Sequence, residues 1–301
     1  MTDTILEPTI SPEEIQIDAS LRPKSLSDFV GQPRLKQSLE LALAAAKSRH
    51  EPIDHVLLYG PPGLGKTTLS HIIASEQGGS IHVTTGPALT RAGDLAALLT
   101  NLEEGDVLFI DEIHRLNKVV EETLYSGMED RRLDLVLGKG PAARTVTVDL
   151  KPFTLVGATT MYGSLSGPLR SRFGIINKLE YYSDTDLSSV LTRSANILKI
   201  QLDRDAVLAL AKRSRGTPRI ANRLLRRSRD TAQIHHHNHL TLQAVNDTLT
   251  LLQIDELGLD EGNARVDVAV VHEVLHGFEI KSDADTLDRL LWNPENGGGA
   301  G

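Results

Sequence analysis

The sequence predicts an α/β protein: a parallel sheet flanked by helices around a phosphate-binding loop, followed by an all-helical domain. Three observations carry that expectation. Between about residues 21 and 180, short apolar β-type runs alternate with helical segments, the order that builds a parallel sheet covered by helices. One junction in that stretch, Gly60-Pro61-Pro62-Gly63-Leu64-Gly65-Lys66-Thr67, has the spacing of a loop that wraps phosphates. From about 184 to 254 the apolar period becomes helical throughout.

Taken in order, residues 55–59 form the first apolar run and lead into the glycine-rich loop, after which residues 67–77 predict a helix. Residues 106–110 are a second buried strand ending at Asp111-Glu112, and residues 119–129 are the helix beyond it. Residues 133–148 alternate apolar and polar side chains around Gly138-Lys139-Gly140-Pro141, which predicts a hairpin. Residues 153–157 give a third apolar strand. In the helical region the expected N-caps are Asp205, Thr217 and Thr241, with proline at the first helical position in Thr217-Pro218-Arg219. Beyond Asp255 the pattern weakens, and residues 296–301, with four glycines, predict disorder. The division that results is a flexible N-terminal segment over 1–20, a nucleotide-binding domain over 21–183, a helical domain over 184–255 and a degenerate C-terminal region over 256–301.

Composition narrows the function classes. A chain of 301 residues with 40% hydrophobic and 24% charged side chains has the globular balance, and no apolar run approaches the roughly 18 residues of a membrane span. Zero cysteines exclude disulfides, a thiol nucleophile and zinc sites built on thiolates, and they suit a reducing compartment. Residues 1–19 are acidic and carry neither the basic start nor the apolar core of a signal peptide, so a cytoplasmic location is expected. The net charge of −8 hides a split. Residues 255–301 hold eleven acids and three bases, and subtracting these from the totals of 40 and 32 leaves 29 of each in the body. That body is neutral, not the broad basic surface of an obvious nucleic-acid binder. Residues 212–229 nonetheless carry eight bases and no acid, a pattern equally suited to a solvated helix face.

The chemistry concentrates in two motifs. In the loop, Gly63 and Gly65 let backbone N–H groups turn toward phosphates, Lys66 bridges the outer phosphates, and the Thr67 hydroxyl can ligate magnesium. In Val107-Leu108-Phe109-Ile110-Asp111-Glu112, four apolar residues deliver two carboxylates to the C-terminal end of a strand, where α/β sheets bind ligands. Asp111 would hold magnesium through water, and Glu112 would take the proton of the water that attacks the γ-phosphate. A strand ending in Asp-Glu is common by itself. Paired with the loop 45 residues upstream, it favours ATP hydrolysis over mere nucleotide binding.

A wider set of segments then resembles the RuvB family, the bacterial AAA+ motors of Holliday-junction branch migration. It comprises Leu21-Arg22-Pro23-Lys24, Val30-Gly31-Gln32, the glycine-rich loop, Asp111-Glu112-Ile113-His114-Arg115-Leu116, Gly140-Pro141-Ala142-Ala143-Arg144, Gly157-Ala158-Thr159-Thr160, Leu169-Arg170-Ser171-Arg172-Phe173-Gly174 and Gly216-Thr217-Pro218-Arg219-Ile220-Ala221-Asn222-Arg223. The likeness covers about residues 15–260, and the segments at Gly140 and Gly216 are more specific than a general AAA+ signature. It implies an AAA+ sheet domain with a helical lid, ATP and Mg2+ as ligands, a hexameric ring, a RuvA-type partner and duplex or Holliday-junction DNA.

The resemblance also implies roles. Leu21 and Arg22 would flank the adenine, Tyr182 would close on the nucleotide, and Thr68 would join Thr67 at the phosphates. Thr160 would be the sensor that orients the attacking water, with Thr159 its nearest rival. Arg219 would contact the phosphates from the lid. Glu129, Asp130 and Arg131 would lie near the nucleotide across a subunit boundary, and Arg172 would be an arginine finger reaching the neighbour's γ-phosphate. A hairpin over 133–148 would dock on the RuvA-type partner, with Leu135, Val136 and Leu137 as candidate contacts.

Two features fit that reading less well. The family continues past Leu257-Gly258-Leu259-Asp260-Glu261 into a basic winged helix, whereas 40 residues follow Glu261 here, without the basic run. A truncated wing is therefore expected, with weakened grip on DNA. The alternative function is a ring subunit or RuvA-binding protein with weak ATPase and little translocation. His272-Glu273-Val274-Leu275-His276 matches a zinc-binding spacing, but Glu295, the only plausible third ligand, lies in the Asn- and Gly-rich tail. His235, His236, His237 and His239 read as a solvated loop.

Overall fold

The computed structural model describes residues 20–137, 144–236 and 239–259, and of residues 135–137 the backbone alone. The expectations for residues 1–19, for the Gly138-to-Pro141 turn, for the side chains of Leu135, Val136 and Leu137, for His237, and for residues 260–301 with His272, Glu273, His276 and Glu295 all lie outside the described residues.

Helix α1 (Pro33–Arg49) opens on a proline at its first turn and precedes β1 (Val56–Tyr59). The loop then feeds α2 (Lys66–Gln77), which stops at Gly78, left-handed at φ 76°, whose N–H returns to the Ala74 and Ser75 carbonyls. Next come β2 (Ile81–Thr85), α3 (Ala92–Thr100), β3 (Val107–Asp111) and α4 (Lys118–Glu129), the last capped by Asn117 accepting from Val120 N–H. Strands β4 (Arg132–Leu137) and β5 (Arg144–Asp149) pair antiparallel as a hairpin outside the main sheet. Then β6 (Thr154–Thr159), the four-residue α5 (Gly167–Arg170) and β7 (Ile175–Lys178) complete the sheet domain.

The five-stranded sheet runs β2-β3-β6-β1-β7, with every pairing parallel. Burial explains the sequence pattern. The central strands β1, β3 and β6 are covered on both faces and are almost continuously apolar, while the edge strands β2 and β7 alternate. Because all five point one way, the loops after β1, β3 and β6 emerge at the same edge, and that edge builds the site.

The lid consists of α6 (Asp184–Ile197), α7 (Arg204–Arg213), α8 (Pro218–His235) and α9 (Leu242–Leu251), with a two-residue bridge between β8 (Gln201–Leu202) and β9 (His239–Leu240). Its apolar faces share one continuous core with the α1 and α2 side of the sheet, while a second core lies under α3 and α4. Thr217 and Thr241 do precede their helices. Asp205 is not a cap: α7 starts one residue earlier, and Asp203 occupies the extended capping position. The carboxylate of Asp203 pairs with His239 Nε2 at 2.8 Å instead of with the helix. His236 likewise meets Asp247 at 2.8 Å, so these two histidines tie lid segments together and are not merely solvated. Among the described residues, no helix is long and apolar enough to cross a membrane.

Candidate functional site: a nucleotide cleft

The loop after β1 is folded by its glycines and by what presses on them. Gly60 (φ 141°) sits where a Cβ would lie 2.5 Å from the Leu179 carbonyl, and Gly63 (φ 78°) where a Cβ would lie 2.7 Å from Thr217 Cγ2 of the lid. Lys66 is only 7% exposed. Its Nζ donates to the Gly60 and Pro61 carbonyls at 2.7 and 2.9 Å, which bends the ammonium back over the loop. Burial pushes this amine below its ordinary value; Asp111 and Glu112 oppose that shift and Arg219 adds to it. An ammonium that is largely desolvated and offered only carbonyl oxygens is suited to an anionic ligand.

The carboxylates arrive from β3. Asp111 ends the strand and accepts from Glu112 N–H at 2.9 Å. Glu112 itself is left-handed (φ 48°), an uncommon conformation for a non-glycine residue and one that costs energy. That backbone turns its side chain toward the end of β6, where Thr160 Oγ1 donates to Glu112 Oε2 at 3.2 Å. His114 Nδ1 lies 3.2 Å from the same carboxylate oxygen and 2.9 Å from the buried Thr159 hydroxyl. Thr159 Oγ1 also accepts from Met161 N–H, so Thr159 is a structural partner and Thr160 is the one facing the carboxylate.

The lid supplies the opposite wall. Tyr182 is buried, its hydroxyl donating to the Leu64 carbonyl at 3.2 Å, and burial holds that phenol well above its usual range. Arg219 N–H reaches the Gly63 carbonyl at 3.4 Å, so the first turn of α8 rests directly on the loop. Together these elements enclose a cleft of about 740 Å³. Leu21, Arg22, Gly63, Gly65, Lys66, Thr67 and Thr68 line it, with Asp111, Glu112, Thr160, Tyr182 and Arg219. Arg193 of α6 holds the Leu21 carbonyl at 2.8 Å and so fixes the strand of chain over the mouth.

The remaining expected residues gather elsewhere. Arg172, Glu129, Asp130 and Arg131 do not line this cleft. Arg172 Nη2 meets Glu129 Oε2 at 2.9 Å, at the C-terminal end of α4. Sequence reasoning assigned no role to His114, Arg193 or Tyr125. His114 could not have been found by periodicity, because a 3-10 turn (Ile113–Arg115) brings it back onto Glu112. The basic stretch 212–229 serves both solvent and site: Arg219, Arg223 and Arg227 are exposed and Arg226 and Arg229 half-buried, and all five line the cleft.

A loop-cradled lysine, a strand-end carboxylate pair and an arginine delivered by a helical lid define the AAA+ class of P-loop folds. Within that class the match is specific: the model of the Holliday junction DNA helicase RuvB P-loop domain covers residues 21–179, and that of the RuvB AAA lid domain covers residues 182–255. The chain belongs to the RuvB family. It is 53% identical to the Thermotoga maritima RuvB Holliday junction branch migration motor, with a TM-score of 0.75 over 82% of this chain and 78% of that one. A proline-to-glycine mutant of Thermotoga maritima RuvB aligns at 49% identity and TM-score 0.77, over 89% of this chain and 88% of that one. A model of the bacteriophage P4 protein cII also matches residues 227–291, of which 227–255 fall within the lid match.

Proposed function

We propose that this chain hydrolyses ATP as a subunit of a hexameric ring and uses the cycle to drive duplex DNA through Holliday junctions in the cytoplasm, together with a RuvA-type partner. The observation that carries the reading is the contact between Glu112 and Thr160, set opposite Lys66 in one cleft. It joins a proton acceptor to a hydroxyl that can orient water, beside a cation suited to the outer phosphates. That is the apparatus of hydrolysis, and it exceeds what binding alone requires.

The residues fit magnesium as well as nucleotide. Thr67 and Asp111 both line the cleft, and Asp111 commits one oxygen to the Glu112 N–H while its other is left for a metal-bound water. Thr67 and Asp111 would hold magnesium, which would supply positive charge against the phosphates. Leu21, Arg22 and Tyr182 bind the base and sugar side, and Gly63, Gly65 and Thr68 offer donors to the phosphates. Lys66 and Arg219 balance charge at the transferring phosphoryl group. Thr160 orients the water and Glu112 accepts its proton.

Arg172 does not line its own cleft and pairs with Glu129 instead, which suits a finger acting on a neighbouring subunit, with Glu129, Asp130 and Arg131 near the same boundary. Hydrolysis measured with and without duplex DNA and a RuvA-type partner tests the reading. Stimulation by the two together is expected. Turnover indifferent to both would leave a ring subunit that burns ATP weakly without moving DNA.

A further inference from the structure

Helix α4 places Glu121, Tyr125 and Glu129 at four-residue steps, on one face. Arg172 lies across that face. Its guanidinium carbon stands 4.2 Å from the centre of the Tyr125 ring, while Nη1 donates to the Pro168 carbonyl at 2.7 Å and Nη2 to Glu129 at 2.9 Å. The ring is itself fixed: Glu121 Oε1 accepts from both the Tyr125 hydroxyl and Ser166 Oγ. Ser166 Oγ in turn accepts from Leu169 N–H and caps α5, which ends two residues before Arg172. Phe173, the next residue, is buried in the core. Platform and finger are thus anchored to the same two elements.

We propose that Tyr125, buttressed by Glu121 and Ser166, is a positioning residue that aims Arg172 at a neighbouring subunit's nucleotide, while Glu129 is the resting counter-ion that the guanidinium exchanges for phosphate. The proposal rests on the finger role given above to Arg172. A neutral ring orients a cation without cancelling its charge, so nothing must be stripped away when phosphate arrives. Burial and the Glu121 carboxylate raise the Tyr125 phenol above its usual value, so the ring stays neutral and its hydroxyl stays a donor. Glu129 is a different kind of partner. It is 55% exposed against 20% for Arg172, and a screened ion pair of that sort is weak enough to exchange. Arg172 Nε, moreover, is buried without an acceptor among the described residues, so the resting pose leaves one donor unmet.

Neither Tyr125 nor Glu121 lines the cleft of its own subunit, and this gives the test its sharpness. Tyr125→Leu keeps apolar bulk but removes the ring face. It is expected to lower kcat about tenfold with KM for ATP within about twofold of wild type, and Tyr125→Phe is expected to recover most of the loss. Mixed with Lys66→Ala subunits, whose fingers are intact, Tyr125→Leu subunits are expected to regain hydrolysis, and Arg172→Ala subunits are expected to do the same. If Tyr125→Leu does not fold, shown by a changed melting profile, Tyr125→Met takes its place. A wild-type kcat for the Leu or Met variant alongside a defective Arg172→Ala would overturn the platform and leave the finger standing. Rescue of Arg172→Ala without rescue of the Tyr125 variant would do the same. A wild-type kcat for Arg172→Ala would remove the finger reading itself.

Discussion

Thr160 Oγ1 donates to Glu112 Oε2 across 3.2 Å, and this single contact joins the ends of two neighbouring parallel strands. The left-handed backbone at Glu112 makes it possible, since an extended residue there would continue the line of β3. Strain held at that position is compensated by the surrounding contacts of His114 and Thr160 with the same carboxylate.

The carboxylate and the lysine therefore have separable roles. Lys66→Ala is expected to abolish ATP binding, because it removes the buried cation that the loop is folded around. Glu112→Gln keeps the shape and the Thr160 contact but cannot take a proton, so ATP should bind normally and turn over about 10²–10⁴-fold more slowly. Thr160→Val is expected to fall between the extremes, losing about tenfold or more in kcat with little change in affinity. Equilibrium nucleotide binding and steady-state hydrolysis on the three variants check this, and a Glu112→Gln enzyme at the wild-type rate would remove the proposed base.

A second prediction concerns the seam between loop and lid. Gly63 is left-handed, and a Cβ there would stand 2.7 Å from Thr217 Cγ2 and 3.1 Å from Arg219 Cβ. Left-handed backbone alone costs an alanine about 1–2 kcal/mol. The clash must then be relieved by moving the first turn of α8, which carries Arg219. Gly63→Ala is accordingly expected to lower the melting temperature and to weaken ATP binding more than Gly93→Ala, a helical glycine whose Cβ would meet nothing within 4 Å. Equal effects of the two substitutions would refute the seam.

A third prediction is a pH dependence with a defined sign. His55 Nδ1 accepts from Leu155 N–H at 2.9 Å and its Nε2 lies 3.3 Å from the Met128 carbonyl, so the ring is held neutral between β6 and the end of α4. Burial is the main cause that lowers its pKa from 6.5, with Arg131 acting the same way; the Met128 carbonyl and Asp54 oppose them. The unfolded chain therefore binds the proton first. Stability is full above about pH 6.5 and is lost as pH falls from there toward the depressed folded value. In urea titrations His55→Gln is expected to flatten the wild-type decline between about pH 7 and 5.5, and an unchanged slope would count against this assignment.

Much of this was written in the sequence, for physical reasons that also mark where legibility stopped. Strands β1, β3 and β6 are covered on both sides, so apolar runs alone located them to within a residue or two. The glycine-rich loop is legible because each residue type has a task that few substitutes perform. Arg172 was visible only by resemblance, since α5 is too short to show a period and the residues it meets, Glu129 and Tyr125, are more than forty positions away. The cap at Asp205 was misplaced by two residues because Asp203 and Asp205 both suit a helix start, and only the tie from Asp203 to His239 separates them. The basic stretch 212–229 was legible as a charged helix face, but nothing local said that Arg219, Arg223, Arg226, Arg227 and Arg229 would share one wall of the cleft.

That wall leads to the last prediction, weak duplex binding by this chain alone. Non-specific affinity comes mainly from Lys and Arg contacts to phosphates, each adding about 0.9 to the slope of log K against log salt. Of the eight bases in residues 212–229, five line the nucleotide cleft, and two of those, Arg227 and Arg229, also face Asp230 at 3.9 and 2.9 Å. Lys212, Arg213 and Arg215 remain outside the cleft, and Arg215 already engages other groups within the chain. The eleven acids of residues 255–301 add repulsion, not affinity. In a fluorescence anisotropy titration the salt slope is expected to stay below about 3, and saturating nucleotide should leave it unchanged because the cleft arginines do not contribute. A steep slope that nucleotide suppresses would mean that DNA and ATP compete for the same arginines, and a steep slope that survives nucleotide would place the DNA surface on residues other than these.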